Sequence, residues 1–311
     1  MKKGKYRDPV LMVAASFLLY IIPIGSFLFI FPLLLLSKRY PKRTTDTACV
    51  AVLVLVLARM LWVFRTSLSD VLTWAFIVVS LFVPVSLILG ACIWVHRKRE
   101  NVVLDLLMTT IPSLVMFFAI EVWFVLAPSL ANAVYASFES VYSDLVGELF
   151  SSLGVTFSTL FSLLSMMVLS ITVASVFLNL VLVLFFYEAG SHHFSEDFDN
   201  KVATFKVGEN FIYCFLLLWV LMLLKAFIAF PVSLTLAINN LALLATVFYA
   251  MQGYAIIYFN LRKRGMRFRS TRFFGLVLII MLLLPGVNIL LTFILPLIGV
   301  IENWVVLRKL E

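Results

Sequence analysis

Charge is what this chain has least of. Only 13% of its 311 residues are Asp, Glu, Lys or Arg, and 63% are hydrophobic, where a soluble globular protein carries about 25% charged and roughly 45–50% apolar residues. The mean hydropathy of +1.11 excludes a soluble enzyme or a secreted module. No polar stretch approaches the ~100 residues of an ordinary soluble domain, so residues 1–311 are read as a single integral membrane domain. Cysteine is scarce too: Cys49, Cys92 and Cys214 fall in separate apolar runs with no CxxC or metal-ligand spacing, which makes them buried small hydrophobes on the simplest reading.

Catalytic motifs are also missing. The three histidines, His96, His192 and His193, lie in or near polar loops, and no GxSxG, HExxH, Walker or GxGxxG pattern stands where its chemistry would work. No clustered Asp at membrane depth suggests lipid-phosphate transfer. The chain is therefore not expected to be an enzyme, and no cofactor or metal is expected. Adjacent His192 and His193 near Glu196, Asp197 and Asp199 lack a regular i, i+4 His pair, so residues 188–206 are read as a cytoplasmic loop. The apolar run after the basic N-terminus continues to Leu36 without a small-residue cleavage site, which marks a retained membrane segment.

What is abundant is long apolar runs separated by basic clusters. The clearest is Asn239–Arg272, in which a bilayer-length run ends in Arg262, Lys263, Arg264, Arg267, Arg269 and Arg272. The positive-inside rule puts that end in the cytoplasm. The net charge of +8 has the same origin, so nucleic acid is not an expected partner.

The first run, Pro9–Leu36, is roughly 28 residues, or about 42 Å as one helix, against a hydrocarbon core of ~30 Å. Pro23 and Gly25 stand at its centre, and basic residues flank both sides: Lys2, Lys3, Lys5 and Arg7, then Lys38, Arg39, Lys42 and Arg43. A single crossing would put one cluster outside, whereas two short helices joined at Pro23–Ser26 keep both inside. Crossings are then predicted over Asp46–Phe64, Val71–Trp94, Val102–Leu126, Val155–Tyr187, Val207–Ala229 and Pro231–Asn260. A second hairpin is predicted over Phe273–Leu307, broken at Pro285-Gly286. Of the 24 Lys and Arg, only Arg65 then falls in an outside loop and only Arg59 and Lys225 within the membrane.

The expected fold is all-α: a polytopic transmembrane helical bundle of about 8–10 membrane segments, with helical hairpins at both ends. Both termini are cytoplasmic, in a bacterial inner membrane. Residues 131–152 place Val134, Phe138, Val141, Tyr142, Leu145, Val146, Leu149 and Phe150 at helical spacing, opposite Glu139, Ser140, Ser143, Asp144, Gly147 and Glu148. This predicts an outer amphipathic helix, either a connector at the interface or a lid over a site.

Ionisable groups inside a membrane cost several kcal/mol each on most scales, which makes them the functional candidates. Arg59, Glu121 and Lys225 all fall in the outer half, about 20 to 28 Å above the cytoplasmic helix ends. Asn239 and Asn240 start a descending helix at similar height, and Trp62, Trp123 and Trp219 stand nearby. These groups suit a ligand site for a small polar or anionic solute; equally, Arg59 could pair with Glu121 while Lys225 reaches the headgroups. A second, inner polar set comprises Gln252, Tyr254, Asn288, Glu302 and Asn303, which interhelical hydrogen bonds explain at least as well as function.

The run NNLALLATVFYAMQGYAIIYFNLRKRG and the C-terminal LPLIGVIENWVVLRK resemble the YybS-like family of bacterial multi-pass membrane proteins, a family of unknown function. Asn240, Gln252, Gly253, Gly299, Glu302, Arg308 and Lys309 stand at the positions of that pattern, with Glu302 where the family has Asp. The resemblance covers the last third of the chain and, loosely, IIPIGSF. That family is in turn similar to the substrate-binding subunits of energy-coupling-factor transporters, which implies a vitamin-type ligand in the outer half of the membrane and a transporter coupling subunit as partner. The AxxxA docking pattern of those subunits is absent, since neither Ala14 nor Ala15 has a small residue four positions on. The function expected is binding or transport of a small solute, the alternative a non-transporting scaffold that contacts anionic lipid or an envelope protein through its basic loops.

Overall fold

The computed structural model describes residues 7–23, 25–97, 101–152, 156–191, 196–265 and 287–308. Every regular element among them is helical. Five helices are long and apolar enough to cross a membrane: Lys42–Val63, Val71–His96, Val102–Leu126, Phe157–Ala189 and Val232–Lys263. The protein is an all-α polytopic membrane bundle. It divides into two compact units, Met1–Tyr187 and Glu188–Glu311.

The first unit opens with α1 (Arg7–Ile21), a 3-10 turn at Gly25–Phe27 and α2 (Phe31–Arg39). The predicted break is present, and its cause is local. A β-carbon on Gly25 would stand 2.8 Å from the Leu19 carbonyl oxygen, so only glycine lets the chain fold back this tightly. The Ser26 hydroxyl closes the turn by donating to the Pro23 carbonyl at 2.7 Å. Tyr20 and Phe29 meet edge to face across the hairpin at 5.7 Å. The short second arm, about 13 Å long, is the most buried part of the unit: Ile30, Leu33, Leu34 and Leu36 are each at most 2% exposed.

Four long helices follow in this unit: α3 (Lys42–Val63), α4 (Val71–His96), α5 (Val102–Leu126) and α7 (Phe157–Ser191), the last lying in it as far as Tyr187. Helix α3 packs on α1 and α4, and α4 packs on α5. Gly90 allows α4 to approach the Thr109 carbonyl of α5, where a β-carbon would fall within 2.9 Å. Buried Val173, Phe177, Leu180, Leu184 and Tyr187 recur along one face of α7 at three- and four-residue steps.

Between α5 and α7 lies α6 (Pro128–Ser152), the predicted amphipathic helix. It packs on α4 and α5, and an aromatic cluster joins it to α7 and α4. Tyr135 stands 5.0 Å from Phe157 and 5.1 Å from Phe161, Tyr142 is 5.1 Å from Phe157, and Phe138 bridges Phe76 and Phe161. The side chains of Leu145, Val146, Leu149 and Phe150 lie outside the described residues.

The second unit contains α8 (Glu196–Ala203), α9 (Phe211–Leu224), α10 (Val232–Lys263) and α11 (Val287–Ile301). Two expectations are corrected here. The segment 188–206 is not simply a loop, because α8 forms within it and buries Phe198, Asp199 and Ala203, packing on α10. His192 and His193 lie outside the described residues. The Val207–Ala229 crossing is also shorter than predicted: α9 stops at Leu224, where the Ala226 and Phe227 amides tighten into i, i−3 bonds, and it begins only after a turn at Gly208–Asn210. The predicted break at Pro285-Gly286 lies outside the described residues.

Helices α10 and α11 form the closest helix pair of this unit. A β-carbon on Gly253 would overlap the Leu295 carbonyl, and one on Gly299 would overlap the Tyr249 carbonyl. Two glycines facing one another's backbones let the helices touch main chain to main chain, the usual device of membrane helix packing.

Candidate functional site

The candidate residues divide between the units and are described within each. In the first, Arg59 sits in the penultimate turn of α3, half-buried, with its guanidinium carbon 5.6 Å from the centre of the Tyr20 ring on α1. A cation over an aromatic face is favourable by about 0.5–2 kcal/mol, more as water is excluded. Glu121 lies on α5, and its Oε2 is buried without a hydrogen-bond partner. Because α3 packs on α4 and α4 on α5, Arg59 turns toward α1 instead of toward Glu121. Among the described residues no ion pair joins them. Trp62 is 70% exposed and stacks beneath Arg65 at 4.3 Å.

In the second unit the structure does bring candidates together. Lys225 caps the end of α9 and donates from Nζ to Asn239 Oδ1 at 2.6 Å. Asn239 and Asn240 are both buried, and the Asn240 amide donates back to the Leu236 carbonyl at 3.0 Å. Lys225 itself is half-buried. One helical turn and a half earlier on α9, Trp219 donates from Nε1 to the Thr246 hydroxyl at 3.2 Å and packs beside Phe215. The lysine is thus held by a neutral amide, and among the described residues it has no carboxylate partner.

The inner polar set is built more tightly. Gln252, fully buried, accepts from the Val207 amide at 2.8 Å and donates to the Gly299 carbonyl at 3.1 Å and to Glu302 Oε2 at 2.9 Å. Glu302 in turn receives both arms of Arg308, Nε on Oε1 and Nη2 on Oε2, each at 2.6 Å. The pair is nearly enclosed, with side chains 7% and 12% exposed. Arg308 Nη1 completes the set by donating to the Ala203 carbonyl at the end of α8 at 2.7 Å. Every polar arm is engaged in linking α8, α10 and the segment after α11, which makes this network structural.

Tyr254 stacks near Tyr258 at 6.0 Å, Asn303 donates to the Val300 carbonyl, and the side chain of Asn288 lies outside the described residues. No side-chain pattern marks what holds the network's far side, because the groups concerned are main-chain atoms at Val207 and Ala203. The groove formed by Ser158, Thr159, Ser162, Leu163, Met166 and Met167 on α7, about 660 Å³, contains none of the candidates. Among the described residues no cluster of His, Cys, Asp and Glu could hold a metal ion. Comparison with family models, with curated proteins and with solved structures found no match.

Proposed function

We propose that this protein binds a small anionic solute within a bacterial cytoplasmic membrane, both termini facing the cytoplasm, and delivers it as part of a transport system. The observation that carries this reading is Lys225. Lys225 is half-buried and donates to the Asn239 amide oxygen, and among the described residues no carboxylate pairs with it. Such a charge is costly to bury and is offset when an anion binds beside it. The buried amide and Trp219 offer a solute a polar anchor and an aromatic flank. The resemblance of the last third of the chain to the YybS-like family, and through it to transporter substrate-binding subunits, supports the transport class. A transporter coupling subunit is the corresponding partner.

The test is thermal unfolding of the full chain in detergent against a panel of small carboxylates and phosphate esters. A ligand at 100 times its dissociation constant stabilises by about 2.7 kcal/mol. Stabilisation by one class, lost in Lys225→Met and kept in Lys225→Arg, supports the proposal. Equal stabilisation of Lys225→Met, or none of the wild-type chain by any member, would falsify it.

A further inference from the structure

The α3–α4 interface holds a second constellation that the solute site does not use. Asp46 on α3 and His96 on α4 face one another at 3.5 Å, Oδ2 to Nε2. The other ring nitrogen of His96 lies 2.8 Å from the Cys92 carbonyl, and Lys42 Nζ donates to the His96 carbonyl at 3.3 Å. These contacts fix the register of two antiparallel helices joined by a short connection. Three residues onward from Asp46 is Cys49, and four residues back from His96 is Cys92, so the next rung of the same register is thiol against thiol. The packing of α3 on α4 in this register sets the two side chains on the facing sides of the helices. Cys49 is 5% exposed, whereas Cys92 is only half-buried. Ala48 and Ala91, both buried, stand beside them and keep the crossing close.

The pair is not a metal site, because no third ligand converges on it among the described residues. Nor is it deep in the membrane. Cys92 is one turn from the end of α4, and Cys49 two turns from the start of α3, near a level marked by Lys42, Arg43, His96 and Arg97. A small polar oxidant reaches that depth from the headgroups.

We propose that Cys49 and Cys92 are a dithiol that hydrogen peroxide converts to an intramolecular disulfide, which cross-links α3 to α4. The more accessible Cys92 sulfur attacks the peroxide O–O bond, giving a sulfenic acid and water. The Cys49 sulfur then attacks the Cys92 sulfur, the S–S bond forms, the S–O bond breaks, and the hydroxide leaves with the Cys49 proton as a second water. One peroxide is reduced and two thiols are oxidised, with no other reactant. A dithiol reductant restores the open pair.

The experiment uses the full chain in detergent carrying Cys214→Ser, which removes the exposed third thiol. The reduced protein is treated with hydrogen peroxide, its free thiols are counted by maleimide mass-tagging, and its peptides are read by mass spectrometry. The expected result is loss of both thiols together, a single Cys49–Cys92 linked peptide in the monomer, and full recovery with dithiothreitol. With Cys49→Ser added, dimedone should trap a sulfenic acid at Cys92. Two thiols still free after peroxide, or disulfides found only between chains, overturn the proposal. The thiol count on the parent protein decides this even where the double variant does not fold.

Discussion

Tyr40, the residue after α2, donates its hydroxyl to Asp8 in the first turn of α1 at 3.1 Å. Thirty-two residues apart in sequence, the two mark the open end of the N-terminal hairpin and put its entrance and exit at one level. Neither arm is long enough to cross a ~30 Å core: α1 has 15 residues and α2 has nine. Arms this short predict that the chain enters the bilayer and leaves on the side from which it came.

Single-cysteine variants in a cysteine-free background test this directly. Asp8→Cys and Tyr40→Cys are expected to react with a membrane-impermeant maleimide from the same face of right-side-out or inverted vesicles, and Ser26→Cys from neither. Labelling of positions 8 and 40 from opposite faces would mean that the run crosses once.

The same hydrogen bond has a pH signature. Burial, reinforced by the bond to Asp8, raises the Tyr40 phenol above its ordinary value of 10.0. A raised value means the neutral phenol is favoured in the fold, so the bond contributes below pH 10 and is lost as pH rises through the higher folded value. Difference absorbance at 295 nm between wild type and Tyr40→Phe should show this tyrosine ionising late. An ordinary or early ionisation would place Tyr40 free of Asp8.

At the α10–α11 crossing, Gly253→Ala and Gly299→Ala each force a methyl into a facing carbonyl. Overpacking of this kind costs about 1–3 kcal/mol, and backbone atoms cannot step aside as a side chain can. Gly208→Ala, with open space around it, serves as the control. Thermal unfolding in detergent should separate the first two variants from the third.

The Gln252–Glu302–Arg308 network predicts strong coupling. Removing one member of a buried pair strands the other charge at about 3–5 kcal/mol, so Glu302→Ala and Arg308→Ala should each destabilise severely. The double variant should cost well below the sum of the two. Additive costs in a double-mutant cycle would show that the bidentate pair is not formed in the membrane.

Docking of α6 rests on aromatic pairs, each favourable by about 0.5–1.5 kcal/mol. Tyr135→Ala removes two of them, with Phe157 and Phe161. Hydrogen exchange across 130–144 is expected to quicken by about tenfold, while α10 remains protected. Unchanged exchange would mean that α6 is held by other contacts.

Much of the fold is legible in the amino-acid sequence. Helix α5 matches its predicted bounds, and α3, α4 and α10 match to within a few residues, because bilayer thickness and the exclusion of charge set the length of each apolar run. The hairpin followed from Pro23, Gly25 and the paired basic flanks for the same reason. Residues 196–203 were misread because α8 is stabilised by packing Phe198 and Ala203 on α10, which hydropathy does not register.

What the sequence determined by itself was which residues meet lipid and which meet water, since those are properties of composition along a line. Pairing was decided only in three dimensions. Arg59 found Tyr20 and not Glu121, Lys225 found Asn239, and Cys49 and Cys92, in separate apolar runs, came to face one another. The physical reason is that each contact depends on the rotation of a helix about its own axis and on which neighbour it touches. Side-chain volumes at Gly90, Gly253 and Gly299 fix these only when the helices close on one another.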